Sequence, residues 1–569
     1  WVLSLPLQHA SDLEDTLSDD WSWLRGSHYI QAGANIVFGT KRQTNFSASN
    51  SQWFFSGQFT GSPIADYLLG DAATFNQTST EPRYYLHYPL YSPYVQDRWK
   101  ATRRLTLTGG VRVEFEPAPN LQHAFGSVFD PAVFNSANAP IVNSSGTITP
   151  TPTYNPLNGL IINGLNGTPL NFTNSHQWYW APSFGFAYDL FGNGKTALRG
   201  GYQITYQNAF FEAGGNGAPS GNPPFVQAIN LVTPNFPNPT GAQVAPPSAP
   251  AITSENVKTY QSPSIQNYSL SLEHQFTHDW LVSVAGAGTI GRNLSASYNI
   301  NQPLPDPPFD YNPVINQGTV FQNVFSPYLG YAGISSVEFG NSSSWNALEV
   351  LARHPVGHNL FLNVAYTWQH GLSDGGGNAL TQNGPQNAYK PQLEYGNQSY
   401  NVPQVLTIST IWTLPWYQNA RGLKGLTLGG WQYSDITSVQ SGFSMGPGLS
   451  IPLQGLASRP DRTATNISGP KTVNEWFNTA AFAAPPAGYF GNAANGSIAG
   501  PGVIDFDMAL HKDFRVTEKS TLEFRAESFN IFNHTNFSGV QTAFGAGNYG
   551  QVTSALDPRI FEFALRLQF

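Results

Sequence analysis

The stretch that decides the fold is Ile560-Phe561-Glu562-Phe563-Ala564-Leu565-Arg566-Leu567-Gln568-Phe569. Phe561, Phe563, Leu565, Leu567 and Phe569 alternate with Glu562, Ala564, Arg566 and Gln568, so one face is wholly apolar and the other mostly polar. A period of two belongs to a β-strand; a helix would repeat its apolar residues every 3.6 positions.

The same pattern recurs along the chain. Leu105, Leu107, Val111, Val113 and Phe115 alternate with Thr106, Thr108, Arg112, Glu114 and Glu116. Leu198, Tyr202, Ile204 and Tyr206 oppose Arg199, Gln203 and Thr205, and Tyr268, Leu270 and Leu272 oppose Ser269, Ser271 and Glu273. Near the end, Ile504, Phe506, Met508 and Leu510 oppose Asp505, Asp507 and His511, and Leu522, Phe524 and Ala526 oppose Glu523, Arg525 and Glu527. About 15 such strands of roughly 10 to 14 residues are expected, the length a tilted strand needs to cross a bilayer.

The connections sharpen this reading. Arg25-Gly26-Ser27, Ala101 to Arg104, Phe191 to Lys195, Thr277-His278-Asp279 and Val516 to Lys519 are short. Pro117 to His176, Asn208 to Gln261, Asn293 to Gly333, Gly371 to Pro403 and Ser441 to Gly502 run for tens of residues. Short and long alternate, as in barrels with short periplasmic turns and long extracellular loops. If short turns are periplasmic, the strand from Arg559 runs inward and ends at the periplasmic rim. One short helix is expected around Ile64 to Leu69, inside an outer loop.

Composition excludes other classes. Only 11% of the 569 residues are charged and 14% are aromatic, against a usual charged share of about 25%. A net charge of −8 gives no basic footprint for nucleic acid. Hydrophobic residues at 40% argue against disorder. No run reaches the roughly 18 apolar residues of a membrane helix. With no cysteine there are no disulfides, thiol nucleophiles or zinc-thiolate sites. The fold class expected is an all-β, partial transmembrane antiparallel barrel, occupying residues 1–569 as one domain.

Aromatic side chains gather at strand ends: Trp178 and Trp180 on the outer side, and Trp23, Trp99, Trp280 and Phe514 beside short turns. Such rings prefer the headgroup level and predict two girdles in contact with outer-membrane lipid.

Tyr94-Val95-Gln96-Asp97-Arg98-Trp99-Lys100 with Arg104-Leu105-Thr106-Leu107-Thr108-Gly109-Gly110-Val111-Arg112 resembles a barrel hairpin of TonB-dependent outer-membrane transporters, and more specifically of the Oar-like group. Phe59-Thr60-Gly61-Ser62-Pro63-Ile64-Ala65-Asp66-Tyr67-Leu68-Leu69-Gly70 is similar to a loop segment of that group. Phe524-Arg525-Ala526-Glu527-Ser528-Phe529-Asn530-Ile531-Phe532-Asn533-His534 resembles its penultimate strand. The resemblance implies a barrel of 22 strands preceded by a plug and a TonB box. It therefore implies that the plug, the TonB box and the first strands lie outside these residues, and that the TonB complex engages through them. It also implies that Phe569 is similar to the aromatic terminus read by the barrel-assembly machinery.

Candidate chemistry is sparse. Gly192-Asn193-Gly194-Lys195-Thr196 has the ending of a phosphate-binding loop, but Asp189 stands where that motif needs glycine and a strand follows, so a hairpin turn is expected. Asp505 with Asp507, or Glu523 with Glu527, resembles a carboxylate pair for glycoside hydrolysis, yet alternation alone puts such residues on one face. His354 and His358 have helical metal spacing, but Pro355 and Gly357 between them read as a turn. Asp374-Gly375-Gly376-Gly377 reads as a flexible loop rather than a calcium site. Arg112, Glu114, Arg199, Asp505, Asp507, Glu523, Arg525, Glu527 and Arg566 are the lumen-facing candidates. No catalytic residue, metal or cofactor is assigned, and no enzyme is expected. The function expected is energy-coupled uptake of an extracellular ligand; a structural or adhesion barrel, or a secreted glycan-binding β-protein, are the alternatives.

Overall fold

A computed structural model describes residues 2–3, 8–45, 49, 51–118, 120–121, 126–142, 148–172, 176–207, 218–232, 234, 236, 249–258, 260–276, 280–304, 323–354, 359–375, 381–382, 384–418, 420, 422–450, 458–486, 489–517 and 519–569. The alternating stretches form one antiparallel sheet of 15 long strands. In chain order they are β1 (Gln8–Arg25), β2 (His28–Asn45), β3 (Arg83–Lys100), β4 (Leu105–Pro117), β5 (His176–Asp189), β6 (Thr196–Tyr206), β7 (Ser264–Gln275) and β8 (Leu281–Asn299). Then come β9 (Ile334–His354), β10 (Leu360–Ser373), β11 (Gln404–Thr413), β12 (Trp431–Gln440), β13 (Val503–Arg515), β14 (Thr521–Phe529) and β15 (Ile560–Gln568).

Each strand pairs with its predecessor and its successor, the meander that short antiparallel connections dictate. Among the described residues β1 pairs only with β2, and β15 only with β14, so the wall has two open edges. The strand number agrees with the sequence expectation. The lengths do not: they run from 9 residues in β15 to 21 in β9.

Turn chemistry explains the short side. Asp189 ends β5, and its two carboxylate oxygens accept from the backbone N–H of Gly192 and Gly194, both at 2.9 Å. Those glycines have φ of 74° and 72°, where a side chain would be strained. The Gly-x-Gly-Lys-Thr stretch is thus a carboxylate-capped hairpin turn. The connection at 414–430 departs from the short-turn pattern, since it holds the helix α2 (Gly422–Leu428). Residues 277–279 and His358, with Gly376 and Gly377, lie outside the described residues.

The long connections fold into a layer of their own. The expected outer-loop helix is α1 (Pro63–Leu69), started by Pro63 in its first turn and closed by Gly70 in the left-handed region. Three clusters of buried apolar side chains belong to this layer: one around Val128, Phe172 and Phe339, one around Phe129, Ile252 and Ile334, and one around Phe477, Phe482 and Ile498. The packed core therefore sits at the long-loop end, while the lower sheet leaves its apolar side chains uncovered. Among the described residues no helix is long and apolar enough to cross a membrane, which says nothing of crossing by strands.

Candidate functional site

Register carries each strand's face onto its neighbour, so one side of the sheet can be followed from β1 to β15. The side that holds Phe561, Phe563, Leu565 and Leu567 also holds Phe524 and Leu522, Leu510 and Met508, then Leu406 and Ile408, Leu362 and Val364, Val284, Leu270 and Leu272, and Leu107 and Val111. Phe563 is 73% exposed and Leu565 70%, an arrangement that requires an apolar surround.

Trp23, Trp99, Trp178, Trp180, Trp280 and Phe514 all lie on this apolar side. Trp178 and Trp180 stand at the long-loop end, and the other four at the short-turn end. Sequence reading missed Trp368 at the long-loop end, and Trp412 and Trp431 at the turn end. The sorting has exceptions. Asp435 of β12 sits on the apolar side between Thr410 and Met508, and Asp15 and Asp19 share that side of the edge strand β1 with Leu13 and Leu17.

Arg112, Glu114, Arg199, Asp505, Asp507, Glu523, Arg525, Glu527 and Arg566 all occupy the opposite, polar side. They divide into local groups. Arg112 stacks over the Tyr94 ring at 5.4 Å, and Arg199 pairs with Glu273. Arg525 pairs with Glu523, and Arg566 faces Glu523 across β14 and β15. Asp507 accepts from the Asn530 backbone N–H at 2.9 Å. Glu527 lies directly opposite Glu562, a like-charge pairing. Phe569 follows β15, is 98% exposed, and lies beside the 516–520 turn because Gln568 pairs with Thr521.

Tyrosines on both sides lie across glycines to reach a third strand. Tyr94 of β3 crosses Gly33 of β2 and donates to Asp20 of β1 at 2.6 Å. Tyr88 crosses Gly39 and donates to Glu14 at 2.9 Å. On the apolar side Tyr268 of β7 crosses Gly288 of β8 and donates to Asn346 of β9. Each ring covers a backbone position that has no side chain of its own.

The loop layer holds a cavity of about 190 Å³ where four long connections meet. Asp130 and Lys258 form an ion pair at its wall, 2.6 Å apart. Glu338 accepts from Asn256 Nδ2 at 2.7 Å and from the Ser336 hydroxyl at 3.0 Å. Tyr328 and Tyr389 supply aromatic wall, and Tyr328 packs edge-on against Phe129 at 4.7 Å. Burial, with Tyr328 nearby, pushes the Tyr389 hydroxyl up to about 12, so it stays a neutral donor, here to the Gln302 carbonyl. No local sequence signal marks these residues, because they come from four separate connections spread between Val128 and Tyr389.

A family model described as an outer membrane beta barrel domain matches residues 6–562. No curated protein matches the chain. Similar solved structures include the ferric-catecholate import receptor Fiu from K12 E. coli, with 11% identity, a TM-score of 0.43, and coverage of 98% of this chain and 54% of that one. The copper transporter OprC gives 9% identity, a TM-score of 0.43, and coverage of 99% and 58%. The unliganded ferric citrate transporter FecA gives 10%, 0.41, and 100% and 56%. The chain thus spans a little over half the length of these proteins.

Proposed function

Because the chain belongs to the family of outer membrane beta barrel domains and is located in the outer membrane, we propose that it is the barrel of a TonB-dependent receptor that takes up an extracellular ligand. The observation that carries the reading is the sorting of charge. Across the sheet the nine charged residues from Arg112 to Arg566 share one side, and the aromatic girdle shares the other. In this reading the polar side lines a lumen and the apolar side meets lipid, where Lys or Arg costs roughly 2–4 kcal/mol at mid-depth. Paired charges such as Arg199–Glu273 then hold the lumen wall, and Glu527, which has no ion pair among the described residues, is placed to meet what passes.

The long loops capture the ligand, and the cavity around Glu338, Tyr328 and Tyr389 is the part of the loop layer best built to do so. The TonB coupling rests on the resemblance of 59–70, 94–112 and 524–534 to the Oar-like group. A plug and TonB box would come from sequence other than these residues, and the barrel-assembly machinery would read Phe569. No catalytic step is part of this function.

Two measurements test it. Fractionation should recover the protein in the outer membrane, soluble only with detergent; recovery in a detergent-free supernatant would overturn the membrane reading. The complete gene should encode a plug and a TonB box; their absence would leave an outer-membrane barrel without energy-coupled transport.

A further inference from the structure

We infer that His511, Asp513 and Glu523 form a site for a divalent transition-metal ion of the zinc type, in the polar wall near the short-turn end of β13 and β14. The inference concerns the wall itself and stands whether or not the barrel transports a ligand. His511 and Asp513 are two positions apart on β13, so both side chains leave the same side. Glu523 of β14 lies directly opposite Asp513. Alternation and register alone bring one imidazole and two carboxylates together.

The geometry is that of a ligand shell. His511 Nε2 stands 3.2 Å from Asp513 Oδ1 and 3.4 Å from Glu523 Oε1. One ligand atom from each residue lies within 4.8 Å of the others. In a tetrahedral zinc shell with bonds of roughly 2.0–2.1 Å, neighbouring ligand atoms are roughly 3.3 Å apart. Both edges from the histidine nitrogen match that separation. The nitrogen itself is buried and makes no hydrogen bond, although two acceptors stand close by. Neither oxygen lies in line for an N–H donor, so the usual role of such a histidine, a straight hydrogen bond to one carboxylate, is not the one it has.

The neighbours fit a ligand set that is oriented but not filled. Glu523 is only 5% exposed, and Arg525 holds the oxygen that faces His511. Such contacts fix a ligating carboxylate in place. Asp513 and Glu523 are balanced by Arg525 and by Arg566, which faces Glu523 across the strand pair, so the ligand atoms themselves rather than a net negative charge would hold the ion. One nitrogen and two carboxylate oxygens suit zinc or cobalt(II). Calcium takes six to eight oxygens, and magnesium an octahedral oxygen shell. Asp513 has its side chain 57% exposed, which leaves the fourth position open to the polar side for water or another donor.

The test uses the whole 569-residue chain folded in detergent and titrated with Co²⁺, then with Zn²⁺ as competitor. One Co²⁺ should give the visible ligand-field bands of a four-coordinate site, and Zn²⁺ should remove them. His511→Gln should abolish the bands. Asp513→Asn changes an exposed side chain that the sheet does not need, and should weaken binding at least tenfold. Absence of the bands in the unaltered protein, bands of equal strength in His511→Gln, or unchanged affinity in Asp513→Asn would each overturn the assignment.

Discussion

Arg459→Met is the substitution with the most calculable consequence. Arg459 lies in the connection after β12, and Glu394 in the connection after β10. Nη1 and Nη2 bind the two carboxylate oxygens at 2.6 and 2.9 Å. The side chains are 8% and 6% exposed, so water screens the pair little. Removing one partner of a buried pair costs about 3–5 kcal/mol, because a charge is left without compensation. Glu394 keeps two neutral donors, the Gln386 N–H at 3.1 Å and Asn495 Nδ2 at 2.9 Å. Those donors set the expected cost at the lower end, about 3 kcal/mol, or roughly a hundredfold in the local opening equilibrium. Hydrogen exchange of the folded protein, read by mass spectrometry, should show faster exchange at 386–398 and 458–464, with the amides paired between β13 and β14 unchanged. Arg459→Met with Glu394→Met removes both charges and should restore most of the protection, since an apolar pair of similar volume is often neutral. An increase below about fivefold in the single variant, or a double variant as open as the single, would refute the claim that this pair clamps two loops.

Asp66 gives a pH dependence with a definite sign. Burial works to raise its pKa, but hydrogen bonds from the Thr60 side chain and from the backbone N–H of Phe59, Thr60 and Gly57 outweigh it and hold the carboxyl below its ordinary 3.8. The stabilisation is full above the unfolded value and is lost as pH falls through the folded one, so protease access to 57–70 should rise only in strong acid; Asp66→Asn should give that access already at neutral pH. Gly288→Val would place a Cβ 2.3 Å from the Tyr268 ring and break its reach to Asn346. It should destabilise the wall by about 1–3 kcal/mol, read as a lower urea midpoint in detergent, and an unchanged midpoint would show that the ring is not needed there. Deleting Phe569 should reduce outer-membrane assembly of the protein, measured by heat-modifiable migration of membrane fractions; unchanged insertion would count against its reading as an assembly signal.

The sheet was legible because one physical requirement acts on every strand. A side chain on one face must suit an apolar surround, so Phe561 to Phe569 and Leu105 to Phe115 announce themselves by alternation alone. Asp189 and the turn it caps were legible for a similar reason, since three residues within five positions settle the geometry. Contacts between distant connections were not legible. Glu394 and Arg459 each read as an ordinary loop charge, and nothing near either residue shows that the other fills its pocket. The His511–Asp513–Glu523 group lies between these cases. Alternation placed His511 on the polar face of β13 without singling out Asp513, and Glu523 joins only once the register of β13 with β14 is known.

The strand lengths show why sequence placed the ends of the sheet less well than its middle. β9 has 21 residues, which at about 3.3 Å each is roughly 70 Å of chain, more than a strand tilted by about 40° needs to cross a hydrocarbon layer of roughly 30 Å. Its two halves differ in surroundings. From Ile334 to Ser343, side chains of both parities are buried: Ile334, Ser336, Val337, Phe339, Asn341 and Ser343. A segment at Ile252–Glu255 pairs with this half in parallel and extends the sheet into the loop layer. From Ser344 onward most side chains are only partly buried or exposed, with Leu348 exposed on the apolar side and Glu349 on the polar one. Alternation can report a strand only where its two faces meet different media. In the upper half the loop layer covers the strand, so Ser336, Asn341 and Ser343 are buried beside Val337 and Phe339, and burial no longer sorts polar from apolar residues.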